Sequence, residues 1–195
     1  LIHCKLGTGG PRRLDVSVDN RGTIRTEAGV FLESDGTGRV FRQLGGSMEA
    51  SMGWSGGTFE FVDGLIGGFL MVRNTAVTVH ETADPGSLLV LTSNNGSTLS
   101  GHIPEGVEIW VRGSNYGGHT TVTVQDGTLN DGRVRLESGD VDYASNLSIA
   151  GVLTNGPTGV IDSQVGSGGD RVISGTLVNQ GLVDATPYYI SYFGT

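Results

Sequence analysis

A short phrase returns at equal intervals in the second half of the chain. Gly127-Thr128-Leu129, Gly151-Val152-Leu153 and Gly175-Thr176-Leu177 are separated twice by one and the same step. A fixed period of roughly 20–50 residues marks an array in which each repeat is one supersecondary unit that buries its apolar face only by stacking on the next. Each phrase is followed by a small polar turn and a second apolar pair after glycine: Gly132-Arg133-Val134, Gly159-Val160-Ile161 and Gly181-Leu182-Val183. A third apolar segment precedes the next phrase, Leu147-Ser148-Ile149 before Gly151 and Val172-Ile173 before Gly175. Three short strands and three corners per period predict an all-β, right-handed parallel β-helix (β-solenoid) with rungs of about 24 residues.

Sharp corners account for the composition. Glycine makes up 34 of the 195 residues, far above the roughly 7% of average proteins, and the lack of a three-residue period excludes collagen. Asp126-Gly127, Asp131-Gly132 and Asn155-Gly156 are expected at corners, where these residues tolerate positive φ. The longest stretch without Gly or Pro, Phe69 to Asp84, is rich in β-branched residues and offers no helix.

Upstream the vocabulary persists in Gly22-Thr23-Ile24, Gly57-Thr58-Phe59 and Gly106-Val107-Glu108-Ile109. The step from Gly22 to Gly57 is longer than the period and that from Gly106 to Gly127 is shorter, which leaves insertions or a second architecture open there. Leu14-Asp15-Val16-Ser17-Val18 and Thr120-Thr121-Val122-Thr123-Val124 alternate as strands with one polar face. A β-sandwich or jelly roll shows the same alternation and is the alternative fold. Residues 1–195 read as a single all-β domain, with solenoid repeats best defined over 106–185 and an aromatic terminal strand over 186–195.

Twenty acidic residues against twelve basic ones, a net charge of -8, oppose binding to nucleic acid or an anionic membrane. No apolar run reaches the roughly 18 residues of a membrane span, so no membrane insertion is expected. The one cysteine, Cys4, excludes an internal disulfide; it reads as a small buried hydrophobe, a free thiol or a link to another chain. The opening Leu1-Ile2-His3-Cys4 is that expected of a mature or excised part of a longer precursor.

The stretch from Asn146 to Ala185 resembles the repeats of large bacterial surface proteins, the adhesins of the autotransporter and filamentous-haemagglutinin kind. Its Gly-Val-Leu-Thr-Asn-Gly, Gly-Thr-Leu-Val-Asn-Gln-Gly-Leu-Val-Asp and Gly-Ser-Gly-Gly-Asp-Arg segments carry the likeness. The resemblance implies export to the cell surface and a passive role as a stalk, adhesive shaft or scaffold. It carries over no catalytic residues. The expected function is therefore a non-catalytic structural or adhesive extracellular module, a block of an adhesin shaft or a filament subunit. Its expected partners are copies of itself or neighbouring repeats of the same polypeptide.

A carbohydrate-binding or polysaccharide-cleaving β-helix is the alternative. For cleavage, the densest acidic run is Asp126, Asp131, Glu137, Asp140 and Asp142, and Asp140 and Asp142 share a face if Gly139 to Tyr143 is extended. Asp126 and Asp131 precede glycines and read as turn formers, so no catalytic residue is assigned. For stacking on sugar, the candidates are Trp54, Trp110 and Tyr116. Trp110 alternates with Ile109 and Val111, which points it outward. Gly168-Gly169-Asp170 resembles one unit of a calcium-binding repeat. Such repeats need tandem copies, so Asp170 stands as a lone candidate for calcium and no cofactor is expected. His3, His80, His102 and His119 have no ligand spacing. Last, Tyr188, Tyr189, Ile190, Tyr192 and Phe193 form an apolar strand that needs cover, as a cap folded over the solenoid's own end or as a strand added to a neighbouring subunit.

Overall fold

The computed structural model describes residues 1–8, 12–93, 96–140, 142–164, 166–185 and 190–193, the last four as backbone only. No helix occurs among the described residues. Among the described residues the strands pair with their neighbours in parallel, in one sheet of twelve strands and one of nine, and the chain alternates between them. The result is a right-handed β-solenoid of about eight turns with strands stacked about 22 residues apart. Parallel pairing at this sequence separation excludes the sandwich and jelly roll, whose sheets are antiparallel.

The larger sheet is bent and supplies two of the three faces of most coils; the coil of Ala76–Val79 has a strand on only the first of them. Ser145–Asn155 is one continuous strand whose register against the next coil shifts between Ser148 and Val152. The bend falls at Gly151, and its counterpart Gly175 has φ 105°. A Cβ on Gly175 would lie 2.3 Å from the carbonyl oxygen of Ile149, so neither the backbone angle nor the spacing to the coil below admits a side chain there. Val160–Ser163 then forms the third face. In this coil the expected three strands are present, two of them joined through a glycine bend.

The equal spacing of the three phrases matches the stacking of the Gly151 and Gly175 coils but not that of the Gly127 and Gly151 coils. Thr128 pairs with Leu153, Leu129 with Thr154 and Asn130 with Asn155, a separation of 25 where Asn155 and Asn179 differ by 24. The first phrase is therefore one residue out of step, and a one-residue slip inverts which side chains face in. Thr128 is buried where Leu153 is buried, and Leu129 and Val152 are the outward residues. Toward the N-terminus the solenoid continues with shorter coils. Val40 pairs with Thr58 and Thr58 in turn with Ala76, the same short step that brings Arg42 against Glu60. Gly22-Thr23-Ile24 lies on the second face and Gly57-Thr58-Phe59 on the first, so the long step between them never spanned one coil.

Alternate residues of each strand point inward and sit on the same position of the next coil. On the third face Leu32, Met52, Leu70, Leu89, Ile109, Val134 and Ile161 form one such column, each at most 2% exposed. Near its N-terminal end the core is aromatic: Phe41 stacks on Phe59 with centroids 5.1 Å apart, and Trp54 meets Phe41 edge-on at 5.6 Å. Cys4 is half-buried against this core as a free thiol.

One inward column is polar. Asn130, Asn155 and Asn179 are register partners. The Asn130 amide donates to Asn155 Oδ1 at 2.7 Å and the Asn155 amide to Asn179 Oδ1 at 2.8 Å. Asn155, expected at a positive-φ corner, is instead a fully buried strand residue. Of the three corner glycines expected at positive φ, only Gly127 adopts it, at 74°. Gly132 answers to space: a Cβ would lie 2.5 Å from the carbonyl oxygens of Pro104 and Val107.

Candidate functional site

Outward side chains of the third face also stand in rows, one per coil, about 4.8 Å apart along the axis. Trp110 belongs to such a row between Val90 and Arg135. It points outward as its alternation predicts, yet it is covered: the guanidiniums of Arg135 and Arg112 lie 4.0 and 4.9 Å from its ring centroid. Its Nε1 donates to the Glu137 carbonyl at 3.1 Å. Arg135 is in turn held by Glu108 at 2.7 Å and Glu137 at 2.9 Å. Arg133 pairs with Asp162 and Glu108, and its hydrogen bond to Asp162 raises its pKa further above the usual guanidinium value. The cluster is internally neutralised and offers the tryptophan face to its own arginines.

Trp54 faces the core, fully buried. That corrects its assignment as a sugar-stacking residue. Its ring takes an inward position on the third face, which the sequence Met52-Gly53-Trp54 does not distinguish from an outward one. Tyr116 is 75% exposed, carried on a tight turn closed by Ser114 and Gly118. It is the open aromatic of the three candidates.

Tyr116 overhangs the end of a groove along the solenoid axis. One depression, about 200 Å³, is lined by Ser55, Arg73, Asn74, Ser93, Tyr116 and Gly117. It adjoins a second of about 230 Å³ that shares Ser55 and Arg73 and extends to Arg13, Glu33 and Asp35. Asp35, Ser55 and Arg73 are successive register partners where the third-face strands end. The Arg73 carbonyl accepts the Gly56 amide at 2.8 Å and the Thr75 hydroxyl at 2.7 Å, which fixes the strand end. Asn74 then takes φ 51°, a left-handed turn that Asn tolerates, and the Ser93 hydroxyl donates to its Oδ1. The Arg73 guanidinium has no ion pair among the described residues, and its buried Nε has no hydrogen-bond partner among them. Asp35 is held below the usual carboxylate range, chiefly by the Thr37 backbone amide and then by the Thr37 side chain.

The acidic run does not form a paired-carboxylate site. Gly139 and Asp140 lie in a bend and Asp142 in a turn with φ 70°, so Asp140 and Asp142 do not share a strand face. The Asp140 carboxylate accepts the Asn115 amide at 3.0 Å, Asp126 accepts the Val152 amide at 2.8 Å, and Asp131 meets His102 Nε2 at 2.9 Å. These are bonds that fix turns. Asp170 is exposed, and no group of three His, Cys, Asp or Glu converges anywhere among the described residues. Beside it, the Gly168 and Gly169 carbonyls accept bonds from the Arg171 guanidinium, a cation already in place.

At the C-terminal end, the backbone of Ile190–Phe193 pairs in parallel with Arg171–Ser174. It extends the first face as the next rung of its own chain and does not fold across the end. Tyr188 and Tyr189, and the side chains of Ile190, Tyr192 and Phe193, lie outside the described residues.

Two features escaped the sequence reading. The asparagine column had a signal, since Asn130, Asn155 and Asn179 recur at nearly constant spacing. The Arg73 groove had none, because it depends on which residues three unequal coils bring side by side. Compared with protein-family models, with curated proteins and with solved structures, the chain finds no significant match.

Proposed function

We infer that the chain is a non-catalytic structural and adhesive module of an extracellular or cell-surface protein. In this reading it is a block of an adhesin shaft or the subunit of a surface filament, and it continues through its ends. The observation that carries this is the state of the inward columns at the last full coil. Leu153, Asn155 and Ile161 are at most 1% exposed, whereas their register partners Leu177 and Val183 are half-buried and Asn179 is exposed. Asn179 accepts from Asn155, and its own amide nitrogen has no partner among the described residues. Among the described residues no further rung takes up that donor. A parallel strand edge with half-covered apolar columns suits one kind of neighbour, another coil of the same architecture, from the same polypeptide or from a second copy.

Sedimentation velocity over a concentration series, with electron microscopy of the same samples, tests the reading. About eight turns at ~4.8 Å per rung make a rod roughly 40 Å long. Association into rods of multiple length is expected, and Leu177→Asp with Val183→Asp, at positions already half-exposed, should abolish it without unfolding the chain. A native chain that stays a single short rod at the highest attainable concentration refutes assembly through the ends.

A further inference from the structure

We propose that the axial groove centred on Arg73 binds an acidic polysaccharide, with Arg73 taking the carboxylate of a uronate unit. This site is lateral and goes beyond the end-to-end reading above.

Arg13, at the far end of the groove, is paired with Asp15 at 3.3 Å. Arg73 finds no carboxylate among the described residues. It stands where two depressions meet, with its Nε buried and unpaired. With Nε buried, its two terminal nitrogens are the donors that can take a carboxylate through two parallel bonds. Around it lie the Ser55 hydroxyl and the Asn74 amide, whose Oδ1 is fixed by Ser93 so that its nitrogen is left for a ligand. Further along, Glu33 and Asp35 are acceptors for hydroxyl groups, and the exposed Tyr116 ring supplies a flat apolar face at the other end. One unpaired cation, several neutral or anionic hydrogen-bonding groups and one aromatic face match a ligand with many hydroxyls and a single charge per unit.

The same inventory argues against a dense polyanion. The chain carries a net charge of -8, and Glu33 and Asp35 flank the groove, so repulsion grows with the charge density of the ligand and weighs more on polyphosphate or nucleic acid than on a uronate oligomer with one charge per sugar. Shape argues for a polymer. Each depression is smaller than the roughly 300–1,000 Å³ of a small-molecule pocket, but the two run on into each other across successive coils. A chain lying along the solenoid axis fills both.

The test is isothermal titration and NMR on the monomeric fraction, so that end-to-end association and lateral binding are read separately. The ligands are a short oligogalacturonate, a neutral oligosaccharide of equal length and inorganic polyphosphate. The native chain should bind the uronate oligomer about tenfold more tightly than the neutral one, the ratio that a charge-assisted hydrogen bond of about 1.4 kcal/mol provides. Arg73→Gln should remove that preference, and Tyr116→Ala should weaken both sugars. Arg21→Gln, an exposed arginine at another corner, should change nothing. Unaltered circular dichroism of each variant excludes unfolding as the cause. Absence of saturable uronate binding, equal affinity of native and Arg73→Gln chains, or tighter binding of polyphosphate than of uronate would each overturn the proposal.

Discussion

Replacing Asn155 by alanine should loosen the C-terminal coils far more than the size of the side chain suggests. The Asn155 amide is fully buried. Its nitrogen donates to Asn179 Oδ1 at 2.8 Å, to the Leu182 carbonyl at 3.1 Å and to the Gly159 carbonyl at 3.2 Å, and its oxygen accepts from Asn130 at 2.7 Å. Truncation takes away the short bond of the Asn130 amide and leaves it only the Val160 carbonyl at 3.4 Å, while the Gly159 carbonyl keeps the Leu182 amide at 2.9 Å. Asn179 and Leu182 are exposed and exchange their lost bonds for water. One buried amide deprived of its short partner gives a loss of about 1–3 kcal/mol, or a fall in Tm of roughly 2–12 °C for a chain of this size. Urea unfolding by circular dichroism measures the loss, and amide hydrogen exchange locates it. Because each coil contacts only its neighbours, protection should fall first around Asn130 and Leu153 while the amides near Phe59 keep theirs. Thr154→Ala, outward on the same strand, serves as the control and should stay within about 0.5 kcal/mol. A change that small for Asn155→Ala would show that the asparagine column does not hold the coils together. Asn155→Asp adds a sign. A carboxylate there faces the Asn179 oxygen and two carbonyls, which raises its folded pKa above the unfolded value. The variant is therefore most stable at acid pH and loses stability as pH rises from the unfolded pKa through the folded one.

Gly175→Ala should destabilise by about 2 kcal/mol or more, since it combines φ 105° with a 2.3 Å clash; Gly127→Ala, at φ 74° with nothing within 4 Å, should cost only about 1 kcal/mol. Comparable denaturation midpoints for the two would refute the close-packed corner. Arg135→Ala should uncover Trp110, shifting its emission to the red and raising acrylamide quenching, while Trp54 stays shielded in the core; unchanged quenching would mean that the guanidinium does not cover the ring. By NMR, Asp35 should titrate below an ordinary aspartate. Its hydrogen bond from Thr37 then stabilises the fold above the usual carboxylate range, and that stabilisation is lost as pH falls through the folded pKa. Asp35→Asn should remove this contribution, and an ordinary midpoint for Asp35 would refute it.

The architecture was legible in the sequence because a solenoid writes its geometry as a period. Recurrent glycines mark the bends, alternation marks the strands, and the Asn146 to Ala185 stretch alone carries enough of both to name a parallel β-helix. The sequence also placed Trp110 outward, through its alternation with Ile109 and Val111. What it left undetermined follows from the variable length of the turns. Coils of unequal length, short between Val40 and Thr58 and long between Arg133 and Val160, hide the period upstream. A one-residue difference between the Gly127 and Gly151 coils reverses the facing of Thr128 and Leu129. Trp54 was misread for the same reason: its side is set by register with Ser34 and Val72 on adjacent coils, not by its own neighbours in sequence. Arg73 and Tyr116 are far apart in the chain and share a groove only because short coils stack them within a few rungs. Facing and adjacency are properties of stacked strands, and only the tertiary structure decided them.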